Sequence, residues 1–142
     1  MKSLASLIRL VKWRIDEKRR ELIERETEAE AIRTRLQAGE DEIRAEQQAA
    51  RANFEAHLGY GAYAKRAIQR RKLLSRALVE AEAKVEAVRA ELADLFLEQK
   101  QYEITQANRD RQERERLAKI EQGVLDEIAM NQHRAKKVDA GS

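Results

Sequence analysis

A seven-residue ladder constrains this chain more than any other feature. Ile8, Ile15, Leu22, Ala29, Leu36, Ile43 and Ala50 recur without a break. A companion set, Leu4, Val11, Lys18, Arg25, Ile32, Gly39 and Glu46, is only half apolar. Alternating steps of three and four residues put both sets on one helix face, the pattern of a coiled-coil seam. After residue 61 the pattern restarts with Ala67, Leu74, Leu78, Ala81, Val85, Val88, Leu92, Leu95 and Tyr102.

Between the ladders lies Leu58-Gly59-Tyr60-Gly61. Glycine can follow a helix C-terminus at φ > 0, and a connection of a few residues is enough to join antiparallel helices. The expected fold is all-α: two long, unequal helices forming an antiparallel coiled-coil hairpin with its turn near Gly59-Gly61. As one domain, the first helix covers 3–58 with Ser3 as N-cap, the turn 59–61 and the second helix 62–138. Asp139-Ala140-Gly141-Ser142 is expected to be a disordered tail.

The composition agrees. The chain has no Pro, no Cys, 39% charged residues and 4% aromatic ones. So little bulky apolar material suits one narrow seam better than a broad core. Arg9 and Lys12 interrupt the first apolar run, which argues against a membrane span or a secretory signal. The amphipathic opening faintly resembles a transit peptide, but it runs in phase into the later heptads. A chain without cysteine needs no oxidising compartment, and the cytoplasm is the default location.

With the turn near residue 60, facing positions sum to about 120. Ile32 would then meet Val88, Leu36 meet Val85, Ile43 meet Leu78 and Gly39 meet Ala81. The last pairing either permits close helix approach or marks a soft spot, since an interior Gly costs about 1 kcal/mol relative to Ala. Lys18 and Arg25 are expected to snorkel from the seam edge. Asp16 with Arg20, Glu21 with Arg25, and Glu40 with Arg44 are placed for i,i+4 ion pairs.

The arms come out unequal, because residue 4 would face a position near 116, about twenty residues short of the second helix's end. On that overhang Leu117, Ile120, Val124 and Ile128 form an apolar stripe with Leu125 beside it. It has no partner within the chain, so it either frays or meets another protein or a second copy.

A basic band, Lys65, Arg66, Arg70, Arg71, Lys72 and Arg76, has no acidic residue between Glu55 and Glu80. Positive charge early in a helix opposes its dipole, so local stability does not call for the band. A solvated face, an acidic protein surface and nucleic acid are the three readings. The last is weakened by the lack of interleaved aromatics and of any recognised binding motif. The two histidines, His57 and His133, belong to no metal-ligand spacing, and no phosphate-binding Gly-rich loop is present. No enzymatic activity, metal or cofactor is expected.

The opening Leu4-Ala5-Ser6-Leu7-Ile8-Arg9-Leu10, followed by Glu17-Lys18-Arg19-Arg20-Glu21-Leu22, resembles the start of the FliJ family of bacterial flagellar export proteins. Gly61-Ala62-Tyr63 leading into Leu73-Leu74 resembles that family's post-turn segment, and the length and overhang match as well. The resemblance implies an antiparallel coiled coil similar to the central stalk of rotary ATPases. It implies three partners: the hexameric export ATPase, the cytoplasmic part of the export gate, and free export chaperones. It places ATPase contacts at Leu117, Ile120, Val124 and Ile128 with Leu4 and Ile8. Gate contacts fall on Ile43, Gln47, Ala50, Leu73, Ala77, Glu80 and Lys84, and the basic band would face an acidic gate segment. The implied protein is cytoplasmic, peripheral at the inner-membrane export apparatus, and monomeric when free. The competing readings are a structural coiled-coil scaffold, the stalk protein of a virulence-type secretion system, and a nucleic-acid binder.

Overall fold

The computed structural model describes residues 3–141 as two α-helices, α1 at Leu4–Ala52 and α2 at Phe54–Gly141. Ser3 caps α1 as expected, its Oγ accepting the Ser6 amide at 3.1 Å.

The helices are broken at Asn53 and not at the glycines. The Asn53 amide donates to the Ala49 carbonyl at 3.0 Å and completes the last turn of α1. Its carbonyl accepts from the His57 amide, and its Oδ1 accepts the Glu55 amide, each at 3.0 Å. Asn53 is thus the N-cap of α2, and Glu55 puts negative charge at the positive end of the dipole. Gly59 and Gly61 lie inside α2, and no described glycine has positive φ. A capped N-terminus satisfies amides that glycine leaves bare, and a helix tolerates each interior glycine at a cost of about 1 kcal/mol. The bounds 3–58 and 62–138 are corrected accordingly. The expected disordered tail is also corrected, because α2 runs through Asp139, Ala140 and Gly141; Ser142 lies outside the described residues.

The chain divides into two compact units, one formed by Leu10–Leu97 and one by the described parts of 1–9 and 98–142. In the first, α1 and the early part of α2 pack antiparallel. Its buried side chains are Val11, Ile15, Ala29, Ala67, Ala81, Val85, Val88 and Leu92, every one of them a ladder position. Ala29 sits against Ala81 and Val85, with Leu22, Ile32 and Leu78 packed around them. Burying a Val, Ile or Leu side chain contributes roughly 1.5–3 kcal/mol, so the seam holds the pair together.

The register is tighter than expected. Four ion pairs cross between the helices: Lys18 with Glu91, Glu26 with Arg89, Arg33 with Glu82, and Glu40 with Arg71. Their partner numbers sum to between 109 and 115, about one heptad below 120. A slip of one heptad keeps the same residues inward and changes only whom they meet. Close approach of small side chains therefore occurs at Ala29 and Ala81. A Cβ built at Gly39 would meet nothing within 4 Å, which leaves Gly39 as a soft spot.

The other unit has little cover. Leu4, Leu7 and Ile8 are half-buried, as is Tyr102, whose hydroxyl donates to Glu98 at 2.9 Å. Every residue from Glu103 to Gly141 is exposed. The bare segment therefore begins near residue 103 and not near 116.

Candidate functional site

Three surfaces carry the sequence-predicted residues. The first is the apolar stripe on the bare part of α2. Leu117, Ile120, Val124, Leu125 and Ile128 are each about half exposed, with Leu117 at 52% and Ile128 at 48%. Leu117, Ile120, Val124 and Ile128 follow i, i+3, i+7, i+11 and so share a face, with Leu125 beside it. The segment before them, 109–116, is almost entirely charged; there Arg116 forks onto Glu113 at 2.6 and 3.0 Å, and this holds the Glu113 carboxyl below its usual range. Leu4 and Ile8, grouped with the stripe on sequence grounds, are half-buried and lie outside the bare segment.

The second is the set assigned to a gate contact, and the structure divides it. Leu73, Ala77, Glu80 and Lys84 share one flank of α2 by their spacing, and Leu73 is 64% exposed. Ile43 instead lines a groove of about 200 Å³ with Leu36, Gly39, Tyr63, Ala67 and Leu74. Half-buried Ala50 and exposed Gln47 follow Ile43 along α1. The one-heptad shift thus sets the α1 members beside the start of the basic band and moves them away from Leu73 and its neighbours.

Charge surrounds that groove: Arg35, Arg70, Arg71, Glu40 and Glu42 line it too. Burial pushes the Tyr63 hydroxyl above its usual pKa, Glu42 and Glu46 add to the effect, and Arg70 opposes it. Tyr60 packs near Tyr63 with ring centroids 6.2 Å apart.

The third surface is the basic band. Lys65, Arg66, Arg70, Arg71, Lys72 and Arg76 are all exposed. Arg71 pairs with Glu40 at 3.1 Å; among the described residues, no other member has a carboxylate within salt-bridge distance.

Polar seam positions are paired. Lys18 bonds Glu91 across the helices and Glu21 on its own at 2.9 Å, and Glu91 first, then Glu21, raises its pKa. Arg25 lies 3.5 Å from Glu28. The intrahelical pairs Asp16–Arg19, Glu17–Arg20 and Glu30–Arg33 form at i,i+3, and Glu40 crosses to Arg71, in place of the expected i,i+4 set. Sequence reasoning missed Asn53 as the cap and Arg19, which lies over the Phe96 ring at 5.4 Å. An asparagine two residues before an acid was the signal for the first; nothing local announced the second.

His57 and His133 are exposed, and no group of three or more His, Cys, Asp or Glu able to hold a metal occurs among the described residues. No described helix is long and apolar enough to cross a membrane.

Comparison with known proteins gives a family match over residues 1–137, to the model described as Flagellar FliJ protein. No curated protein and no solved structure matches the chain. A match over nearly the whole length, to a chain whose two helices pair antiparallel along the predicted seam, has one reading: this protein belongs to the FliJ family of flagellar proteins and is a flagellar export-related component.

Proposed function

We propose that this protein is a non-enzymatic coupling element of the flagellar export apparatus. The C-terminal stripe of α2 engages the hexameric export ATPase, and the paired helices engage the cytoplasmic part of the export gate. Free export chaperones are a third class of partner. The protein acts in the cytoplasm, peripherally at the inner-membrane export apparatus, and is monomeric when free.

The observation that carries this reading is the stripe of Leu117, Ile120, Val124 and Ile128, regular in spacing and half exposed within a segment where every residue is exposed. Such a face gains the hydrophobic free energy of burial only against another chain. The charged stretch ahead of it keeps this segment soluble while it waits. On the gate side, Leu73, Ala77, Glu80 and Lys84 are the better candidates, because they share one accessible flank, whereas Ile43 is committed to the groove.

Replacing Leu117, Ile120 and Val124 together by Asp tests the reading. Pull-down of the export ATPase and stimulation of its hydrolysis should be lost while far-UV circular dichroism stays nearly unchanged. Retained binding would remove the stripe from the contact.

A further inference from the structure

The outward face of α2 over its first seven turns takes no part in the pairing of the helices. Phe54, Leu58, Ile68 and Val79 recur on it at helical spacing and are 74%, 69%, 44% and 67% exposed. Lys65, Lys72 and Arg76 fall between them on the same face. The seam side of the same turns carries Tyr63, Ala67, Leu74 and Leu78, so this face points away from α1. Leu73, Ala77, Glu80 and Lys84 form a neighbouring stripe about a quarter turn round the helix.

Several arginines elsewhere in the chain are paired within their own helix. Arg19, Arg20, Arg25, Arg33, Arg89 and Arg116 each have a carboxylate three residues away. Lys65, Lys72 and Arg76 have none within salt-bridge distance among the described residues, and no acidic residue occurs between Glu55 and Glu80. Their charge is uncompensated and spread over about 16 Å of helix, within a row of large exposed apolar side chains that runs about 37 Å from Phe54 to Val79.

We infer that the outward face of α2 from Phe54 to Val79 docks onto an anionic lipid bilayer surface, the helix lying along the interface. Three features favour this occupant. Cations and large apolar side chains share one straight face about 37 Å long, which a continuous anionic plane matches better than a single acidic site. Large side chains such as Phe54 and Leu58 gain free energy by entering the acyl boundary, and contact with phosphates alone would waste them. The long stems of Lys65, Lys72 and Arg76 let their charges snorkel to headgroups while the apolar neighbours sink. The inference uses no residue of the proposed ATPase contact and stands apart from it.

The test is co-sedimentation of the full chain with vesicles of equal parts phosphatidylglycerol and phosphatidylcholine, against phosphatidylcholine alone. Binding should require the anionic lipid and weaken as salt rises. Each neutralised cation should weaken it about fivefold, so Lys65→Gln, Lys72→Gln and Arg76→Gln combined should weaken it about 100-fold. Phe54→Ser with Leu58→Ser should weaken it at least tenfold. Arg109→Gln, Arg111→Gln and Arg114→Gln remove the same charge from the bare segment and should leave binding unchanged. Circular dichroism checks that each variant remains helical. No binding to anionic vesicles, equal binding to neutral ones, or an equal loss in the two triple variants would overturn the inference. So would retention on immobilised polyglutamate without vesicle binding, which would point to an acidic protein.

Discussion

Arg89 on α2 reaches Glu26 on α1 at 3.1 Å and holds Glu86 on its own helix at 2.7 Å. With Lys18 to Glu91, Arg33 to Glu82 and Arg71 to Glu40, it selects one alignment of two helices whose apolar pattern fits several. Exchanging the charges tests that selection. Glu26→Arg and Arg89→Glu should each lower the thermal midpoint by a few degrees, and the double variant should recover most of the loss. Simple addition of the two losses would mean that the residues do not meet.

The site of the reversal gives a second prediction. Gly59→Ala and Gly61→Ala should each stabilise the protein by up to about 1 kcal/mol, because both glycines are helical and an added Cβ meets nothing within 4 Å. Gly39→Ala should do the same. Asn53→Ala should cost about 1 kcal/mol by removing the cap on the Glu55 amide. Urea midpoints decide the matter, since a turn that needed glycine at φ > 0 would reverse the first two signs.

How much of this was legible in the sequence depends on what a repeat can encode. Val11, Ile15 and Ala29 on α1, and Ala67 through Leu92 on α2, are buried where the heptads put them. The pairing was not legible from the seam, because a slip of seven residues returns every inward position to the seam. Charge breaks that degeneracy. Under the glycine-turn alignment Glu26 would face Asp94 and Glu40 would face Glu80, two like-charge encounters that the observed register replaces with bonds to Arg89 and Arg71. The stripe at Leu117 to Ile128 was legible for the opposite reason, since its identity rests on local spacing alone. The α1 part of the proposed gate surface, Ile43, Gln47 and Ala50, depended on register and moved with it.

The seam is tightest where Ala29 meets Ala81 and Val85. Ala29 is 1% exposed, so Ala29→Leu has no space to fill and should destabilise by about 1–3 kcal/mol. Denaturant unfolding measures this, and a neutral result would show that the helices are further apart than described.

Stability should fall on the alkaline side. Glu91 and Glu21 raise the folded-state pKa of Lys18 above its usual 10.5, so its contribution is complete below that value and is lost as pH climbs through the raised one. Tyr63 acts in the same direction: its hydroxyl ionises near 10.0 when unfolded, and burial resists this in the fold. Lys18→Gln with Tyr63→Phe should flatten the alkaline limb of a stability-against-pH curve. Glu113, depressed below 4.5 by Arg116, works at the acid end, where helicity of the bare segment should decline as pH falls through its folded value.

Hydrogen exchange followed by mass spectrometry, on the chain alone and with the export ATPase hexamer, tests the central claim most directly. Alone, amides in Leu10–Leu97 should be protected, and those beyond Tyr102 should exchange almost as fast as in an isolated helix, which is marginal in water. With the hexamer present, strong protection should appear over 117–128. Protection of that stretch in the free chain, or its absence in the complex, would contradict the account.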